Sequence, residues 1–218
     1  MELSSDKDQG ETKVYEVTTF PVPFPLGGNQ GNLTINTNTL KQPSKEQLIN
    51  QAFNFHSQGK IPEAEKLYKY LINQGFNDYR VFSNYGGLLK GLGKLQEAEI
   101  STRKAIEIKP DYAEAHSNLG SILNNLGKLK EAEVSLRKAI KINPNFAEAY
   151  SNLGSILRDL GKLKEAELST RKAIKLNPDL ADSYLNLGVI LRDLGKLKEA
   201  ELSTRKVIEL NPNLSIAH

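Results

Sequence analysis

A period of 34 residues governs most of this chain. Asn118-Leu119-Gly120 recurs as Asn152-Leu153-Gly154 and as Asn186-Leu187-Gly188 at that step. Gly93, Gly127, Gly161 and Gly195 keep the step, as do Pro110, Pro144, Pro178 and Pro212. Residues 147–180 and 181–214 are identical at 27 of 34 positions. A fixed period of this length specifies a stack of like supersecondary units, each burying its apolar face on its neighbours. Such arrays generally serve as binding surfaces. Five units follow from the period: 45–78, 79–112, 113–146, 147–180 and 181–214.

Within unit 147–180, Tyr150, Leu153, Gly154, Leu157 and Leu160 recur every three or four residues, which predicts one helical face. Gly161 ends that helix, because glycine takes the left-handed conformation a helix terminus needs. Leu163, Ala166, Leu168, Ala173, Ile174 and Leu176 supply the apolar content of a second helix. Pro178 stops it, and Asp179 is the candidate cap of the next one. Gly154 and Ala166 are small, so the two helices can approach closely. A larger side chain at either point is expected to cost about 1–3 kcal/mol of overpacking strain.

Composition restricts the function classes. The hydrophobic fraction of 39% suits an array without a thick central core. Net charge is +3 with both signs interspersed, so neither nucleic acid nor an anionic membrane is an expected partner. The chain has no cysteine, which excludes disulfides and thiolate metal sites. The polar start, Met1 to Asp8, shows no signal peptide, and no apolar run is long enough to span a bilayer. A cytoplasmic location is expected.

The flanks differ from the repeats. Residues 1–44 are expected to form a mostly disordered tail. Val14 to Phe24 is strand-like until Pro21, Pro23 and Pro25 break it, and Gly27 to Lys41 is rich in turn formers. The apolar patch Phe20 to Leu26 could cover the first unit or serve as a linear motif. Residues 215–218 read as the start of a truncated sixth unit. A solenoid normally ends on a polar capping helix. Without one, the expectation is either a fragment of a longer protein or self-association through the uncapped C-terminal end.

The pattern aromatic-x2-Leu-Gly-x2-large, then Ala, then Pro resembles the tetratricopeptide repeat. It stands here as Tyr150, Leu153, Gly154, Leu157, Ala166 and Pro178, and again as Tyr184, Leu187, Gly188, Leu191, Ala200 and Pro212. Departures occur at Thr102, Thr170 and Thr204, where the family usually has an aromatic residue, and at Gly75-Phe76 in place of the first unit's proline. The resemblance implies an all-α fold, a right-handed α-solenoid of stacked antiparallel helix hairpins. It also implies that the first helix of each hairpin lines a concave groove.

Carried over residue by residue, the resemblance gives a candidate site. Asn50, Asn84, Asn118, Asn152 and Asn186 occupy one groove position in every unit. A carboxamide both donates and accepts, so a row of them can pair with the backbone of an extended peptide whatever its side chains. The row resembles that of protein O-GlcNAc transferase repeats, where such a ladder grips substrate peptide. The alternative is that each asparagine bonds to a neighbouring repeat. Ser117 and Ser151, with Ser121 and Ser155, make the middle of the implied groove small and polar. Arg158-Asp159 and Arg192-Asp193 form an expected ion-pair set on its edge. Lysine never occupies the position used by the family's carboxylate clamp, which argues against capture of a C-terminal carboxylate. The expected partner is another protein or peptide segment. The rival reading is a non-catalytic, substrate-recruiting N-terminal region of a larger transferase, glycosyltransferase-like.

No catalytic constellation accompanies these features. His56, His116 and His218 have no second ligand at metal-binding spacing, and His116 occupies a packing slot. Gly86 to Lys94 lacks the spacing and the Ser/Thr of a phosphate loop. Ser101, Ser135, Ser169 and Ser203 are in-phase helix-face residues. No metal and no cofactor is expected, and the chain does not read as an enzyme.

Overall fold

A computed structural model of the chain describes residues 43–210. The expectations for most of the N-terminal tail, and for Pro212, the sixth unit and the uncapped end, lie outside the described residues.

Among the described residues the fold is all-α. Ten helices run in pairs: α1 (Lys45–Ser57) with α2 (Ile61–Asn73), α3 (Tyr79–Gly91) with α4 (Leu95–Ile108), α5 (Ala113–Asn125) with α6 (Leu129–Ile142), α7 (Ala147–Asp159) with α8 (Leu163–Leu176), and α9 (Ala181–Asp193) with α10 (Leu197–Leu210). Ser44 caps α1 in a reciprocal capping box with Gln47, so the helical array takes the last residue assigned to the tail.

The turn inside each hairpin is the same object. At Gly161, φ is +75°. Its N–H reaches Arg158 O at 2.8 Å, and Lys162 N–H reaches Leu157 O at 2.8 Å. These paired bonds satisfy carbonyls that the helix end leaves open. The turn after the second helix is built differently from expectation. Asp179 does not cap α9; Leu180 holds the N-cap position and no side chain caps it. Asn177 does the local bonding, its Oδ1 accepting from Asp179 N–H at 3.1 Å. At the end of the first unit an aspartate does cap the next helix, Asp78 accepting from Arg80 N–H at 2.9 Å.

Gly120 shows why the hairpins need glycine. A Cβ there would lie 2.6 Å from Leu136 Cγ and 3.3 Å from the Ala132 carbonyl oxygen. The small pair therefore lets α5 and α6 close, and the residue one turn beyond the alanine fills the space over the glycine. Where that residue is Thr170 it is fully buried and donates to Ala166 O at 2.9 Å.

Stacking uses the same apolar faces. Ile122 of α5 is fully buried in a cluster otherwise formed by α1–α4, and Ile190 of α9 is buried in one formed by α5–α8. The third and fifth hairpins thus insert an isoleucine into the hairpins before them. Odd-numbered helices touch the next odd-numbered helix, whereas no two successive even-numbered helices approach as closely. The odd helices therefore form the inner, concave wall and the even helices the outer one. Leu168 corrects the sequence reading here: it is 71% exposed on the outer wall and belongs to no core.

Ion pairs lace the outer wall. Glu133 receives Lys162 Nζ from the next hairpin at 2.8 Å and Arg137 Nη2 from its own helix at 2.8 Å. Arg137 also reaches Glu165 on the following outer helix at 3.0 Å. The pattern recurs around Glu99 and Glu167.

Candidate functional site

A cavity of about 220 Å³ opens on the concave wall across three hairpins. Ser121 and Asn124 of α5, Asn152 and Ser155 of α7, and Asp182, Leu185 and Asn186 of α9 line it. These residues meet because each lies on the inward stripe of its helix and α5, α7 and α9 stand side by side. Four of the residues expected from sequence come together here: Ser121, Asn152, Ser155 and Asn186.

The members of the asparagine row differ in their hydrogen bonds. Asn118 Nδ2 donates to Ser83 Oγ of the preceding hairpin at 3.2 Å, and Asn186 Nδ2 donates to Ser151 Oγ at 3.2 Å. Asn84 bonds within its own helix, to Arg80 O at 2.9 Å. The side chain of half-buried Asn152 makes no hydrogen bond among the described residues, so its donor and acceptor are both available in the cavity. Asn50 is exposed on α1, away from the cavity. Among the described residues the inter-repeat bonding holds at Asn118 and Asn186 and not at the other members.

The serines also divide. Ser117 and Ser151 are only 5% and 3% exposed, so they sit in the seam between hairpins rather than on an open wall. Ser121 and Ser155 are half-buried and line the cavity. Lys90 reaches across from α3 and donates to Ser121 Oγ at 3.0 Å, which fixes that hydroxyl.

Arg158 and Asp159 pair with each other at 2.6 Å, and Arg192 and Asp193 at 3.5 Å. Neither pair lines the cavity. Self-paired, solvated charges of this kind contribute about 0–1 kcal/mol. Asn124 and Leu185 stand at groove positions that the resemblance implies, and both line the cavity. Asp182, read from sequence as a charge complementing the helix dipole, joins them there.

A stronger charged junction joins the first two hairpins. Arg80 holds Glu46 through two bonds of 2.9 Å and reaches Asp78 at 2.8 Å. Burial works against the Asp78 charge, but the Arg80 contacts outweigh it and hold the carboxyl below the ordinary range. His116 is a packing residue with one polar anchor: its Nε2 lies 2.9 Å from the Pro110 carbonyl, so that nitrogen carries the proton and donates. Among the described residues no cluster of His, Cys, Asp or Glu is placed to hold a metal ion, and no helix is long and apolar enough to cross a membrane.

Comparisons with known proteins agree with this architecture. Tetratricopeptide repeat models match residues 79–112, 113–146, 147–180 and 181–214. A search of curated proteins by sequence gives no significant match. Among solved structures, MamA from Desulfovibrio magneticus RS-1 superposes with a TM-score of 0.64 at 24% identity, covering 78% of this chain and 96% of that one. TTC0263 from Thermus thermophilus gives 0.68 at 19% identity, covering 78% and 92%. YrrB, described as a TPR protein with an unusual peptide-binding site, gives 0.59 at 23% identity, covering 78% and 88%. With more than half of its length matched by the repeat models, the chain belongs to the tetratricopeptide repeat family.

Proposed function

We propose that the chain is a protein-interaction scaffold whose concave wall holds an extended segment of a partner protein. The observation that carries this reading is the polar cavity spanning α5, α7 and α9, with the unbonded Asn152 carboxamide at its middle. A carboxamide in that state can donate to one backbone carbonyl and accept from one backbone N–H of a bound strand. Asn118 and Asn186 each commit one donor to a serine and keep the amide oxygen, so they add acceptors along the same line. The half-buried serines leave room for a chain to lie close, and Leu185, 51% exposed, offers it an apolar contact. The likeness to YrrB, itself described as having a peptide-binding site, supports the assignment at the level of type of partner. Helices pack about 8–10 Å apart, so three of them span roughly 20 Å, or about six residues of extended chain.

Selection of random-sequence peptides on the full chain, followed by backbone amide NMR, tests the reading. Selected peptides are expected to shift resonances of α5, α7 and α9. Shifts confined to the even-numbered helices would overturn it.

A further inference from the structure

The outer helices expose an aliphatic side chain at one position of four successive hairpins. Ile100 on α4, Val134 on α6, Leu168 on α8 and Leu202 on α10 are 70%, 69%, 71% and 67% exposed. On α2 the same position is Lys66, so a hairpin of this kind folds without an apolar group there. The identity varies among Ile, Val and Leu while the aliphatic character stays, which copying of a single unit does not produce. Isolated exposed apolar residues are ordinary, whereas a repeated row beside open cavities marks an interaction surface.

Two such cavities lie beside the row, in the troughs between consecutive outer helices. The trough between α2 and α4 holds about 690 Å³, with Ile72, Phe82, Tyr85 and Leu89 against Ile100. The trough between α4 and α6 holds about 450 Å³, with Ile106 and Leu119 against Val134. Ile106, Leu119 and Val134 stand one period after Ile72, Tyr85 and Ile100, so the trough is a repeated feature of the outer wall.

Charge selects the occupant. On α4, Lys104 is neutralised by Glu107 at 2.7 Å, and on α10 Lys206 by Glu209 at 2.9 Å. On α6 and α8 the residue three positions on is Lys141 or Lys175 instead. Lys138, Lys141, Lys172 and Lys175 are all exposed and make no ion pair among the described residues, and Lys138 lines the second trough. The middle of the outer wall therefore joins an aliphatic row to uncompensated positive charge. A trough between two helices is a rod-shaped seat, and the wall around it is convex, which suits a helical segment better than a flat lipid surface.

We propose that the outer wall of α4, α6 and α8 is a second docking surface, taking an acidic amphipathic helix of a partner protein. Its apolar side chains enter the trough beside Val134 and pack along exposed Leu168, and its carboxylates meet Lys138, Lys141, Lys172 and Lys175. This surface is on the opposite wall from the concave cavity, so one chain can hold two partners at once.

The test uses the full chain and a fluorescent designed helix of about four turns, with leucines at i, i+3, i+4 and i+7 and glutamates elsewhere. A scrambled peptide of the same composition is the control. By anisotropy the helix is expected to bind at least about tenfold more tightly than the scramble. Val134→Gln with Leu168→Gln is expected to remove that difference, and Lys138→Glu with Lys172→Glu to remove the salt dependence of binding. Asn152→Ala leaves both unchanged, and the substitutions at exposed Val134, Leu168, Lys138 and Lys172 leave the melting curve unchanged. Equal binding of helix and scramble, or indifference to the Val134/Leu168 variant, would overturn the proposal. Co-sedimentation with phosphatidylglycerol-containing vesicles that this variant abolishes, without specific helix binding, would assign the face to lipid instead. A dimer that the variant dissociates would assign it to a second copy.

Discussion

Asn186 Nδ2 donates to Ser151 Oγ at 3.2 Å, and Asn118 makes the same bond to Ser83 two hairpins earlier. Each bond ties the inner helix of one hairpin to that of the hairpin before it. The side chain of Asn152, at the same position between them, makes none among the described residues. One recurring residue type thus holds the solenoid together at two positions and faces the cavity unbonded at a third.

Asn118→Ala and Asn186→Ala are each expected to destabilise the array by about 1 kcal/mol, because a mostly buried serine hydroxyl loses its partner. Asn152→Ala is expected to change stability by less than about 0.5 kcal/mol. Denaturant melts of the three variants check the split. A loss at Asn152 equal to the other two contradicts it.

Gly120→Ala and Gly188→Ala are expected to differ. At Gly120 the new Cβ meets Leu136 Cγ at 2.6 Å, and Leu136 is fully buried. Strain of about 1–3 kcal/mol then outweighs the helix-propensity gain of about 1 kcal/mol. At Gly188 the nearest atom is the hydroxyl of exposed Thr204 at 3.2 Å, which can yield. Thermal melts should show a drop for the first variant and a small rise for the second.

Thr102 is fully buried, and its hydroxyl has no hydrogen-bond partner among the described residues. A buried hydroxyl left unpaired costs about 1–3 kcal/mol. Thr102→Val keeps the shape and removes that cost, so the melting temperature should rise. Thr170→Val should not raise it, because Thr170 already donates to Ala166 O at 2.9 Å.

Acid stability follows from the outer ladder. The lysine of the next hairpin, then the arginine one turn on, holds the carboxyls of Glu99, Glu133 and Glu167 below the ordinary range. A folded-state value lowered in this way adds stability above the unfolded-state value and loses it as pH falls. The melting temperature should therefore decline as pH drops below about 4.3. Changing all three glutamates to glutamine should lower stability at neutral pH and flatten that acid decline. His56, held neutral by burial, adds a separate loss starting as pH falls below about 6.5.

The period made the hairpins legible, because each Gly at the left-handed turn and each Gly–Ala approach recurs in phase. The resemblance implies which positions face inward, and Asn152, Ser121 and Ser155 at those positions line the cavity. Burial at the seam could not: Ser117 and Ser151 sit between two hairpins, and the depth of that contact depends on the stacking angle, which spacing does not encode. Leu168 was misread because any aliphatic residue in an amphipathic helix counts toward the apolar face. Only packing shows that it lies outside the stripe formed by Ala166 and Ala173. Asp179 was misread because a one-residue shift moved the cap to Leu180.

The most direct test of the concave site is the affinity of a peptide selected on the wild-type chain, measured by calorimetry for wild type and for Asn152→Ala. Loss of both backbone hydrogen bonds should weaken binding at least about tenfold with the melting curve unchanged. Equal affinity for the two proteins would contradict peptide capture by the inner row of carboxamides.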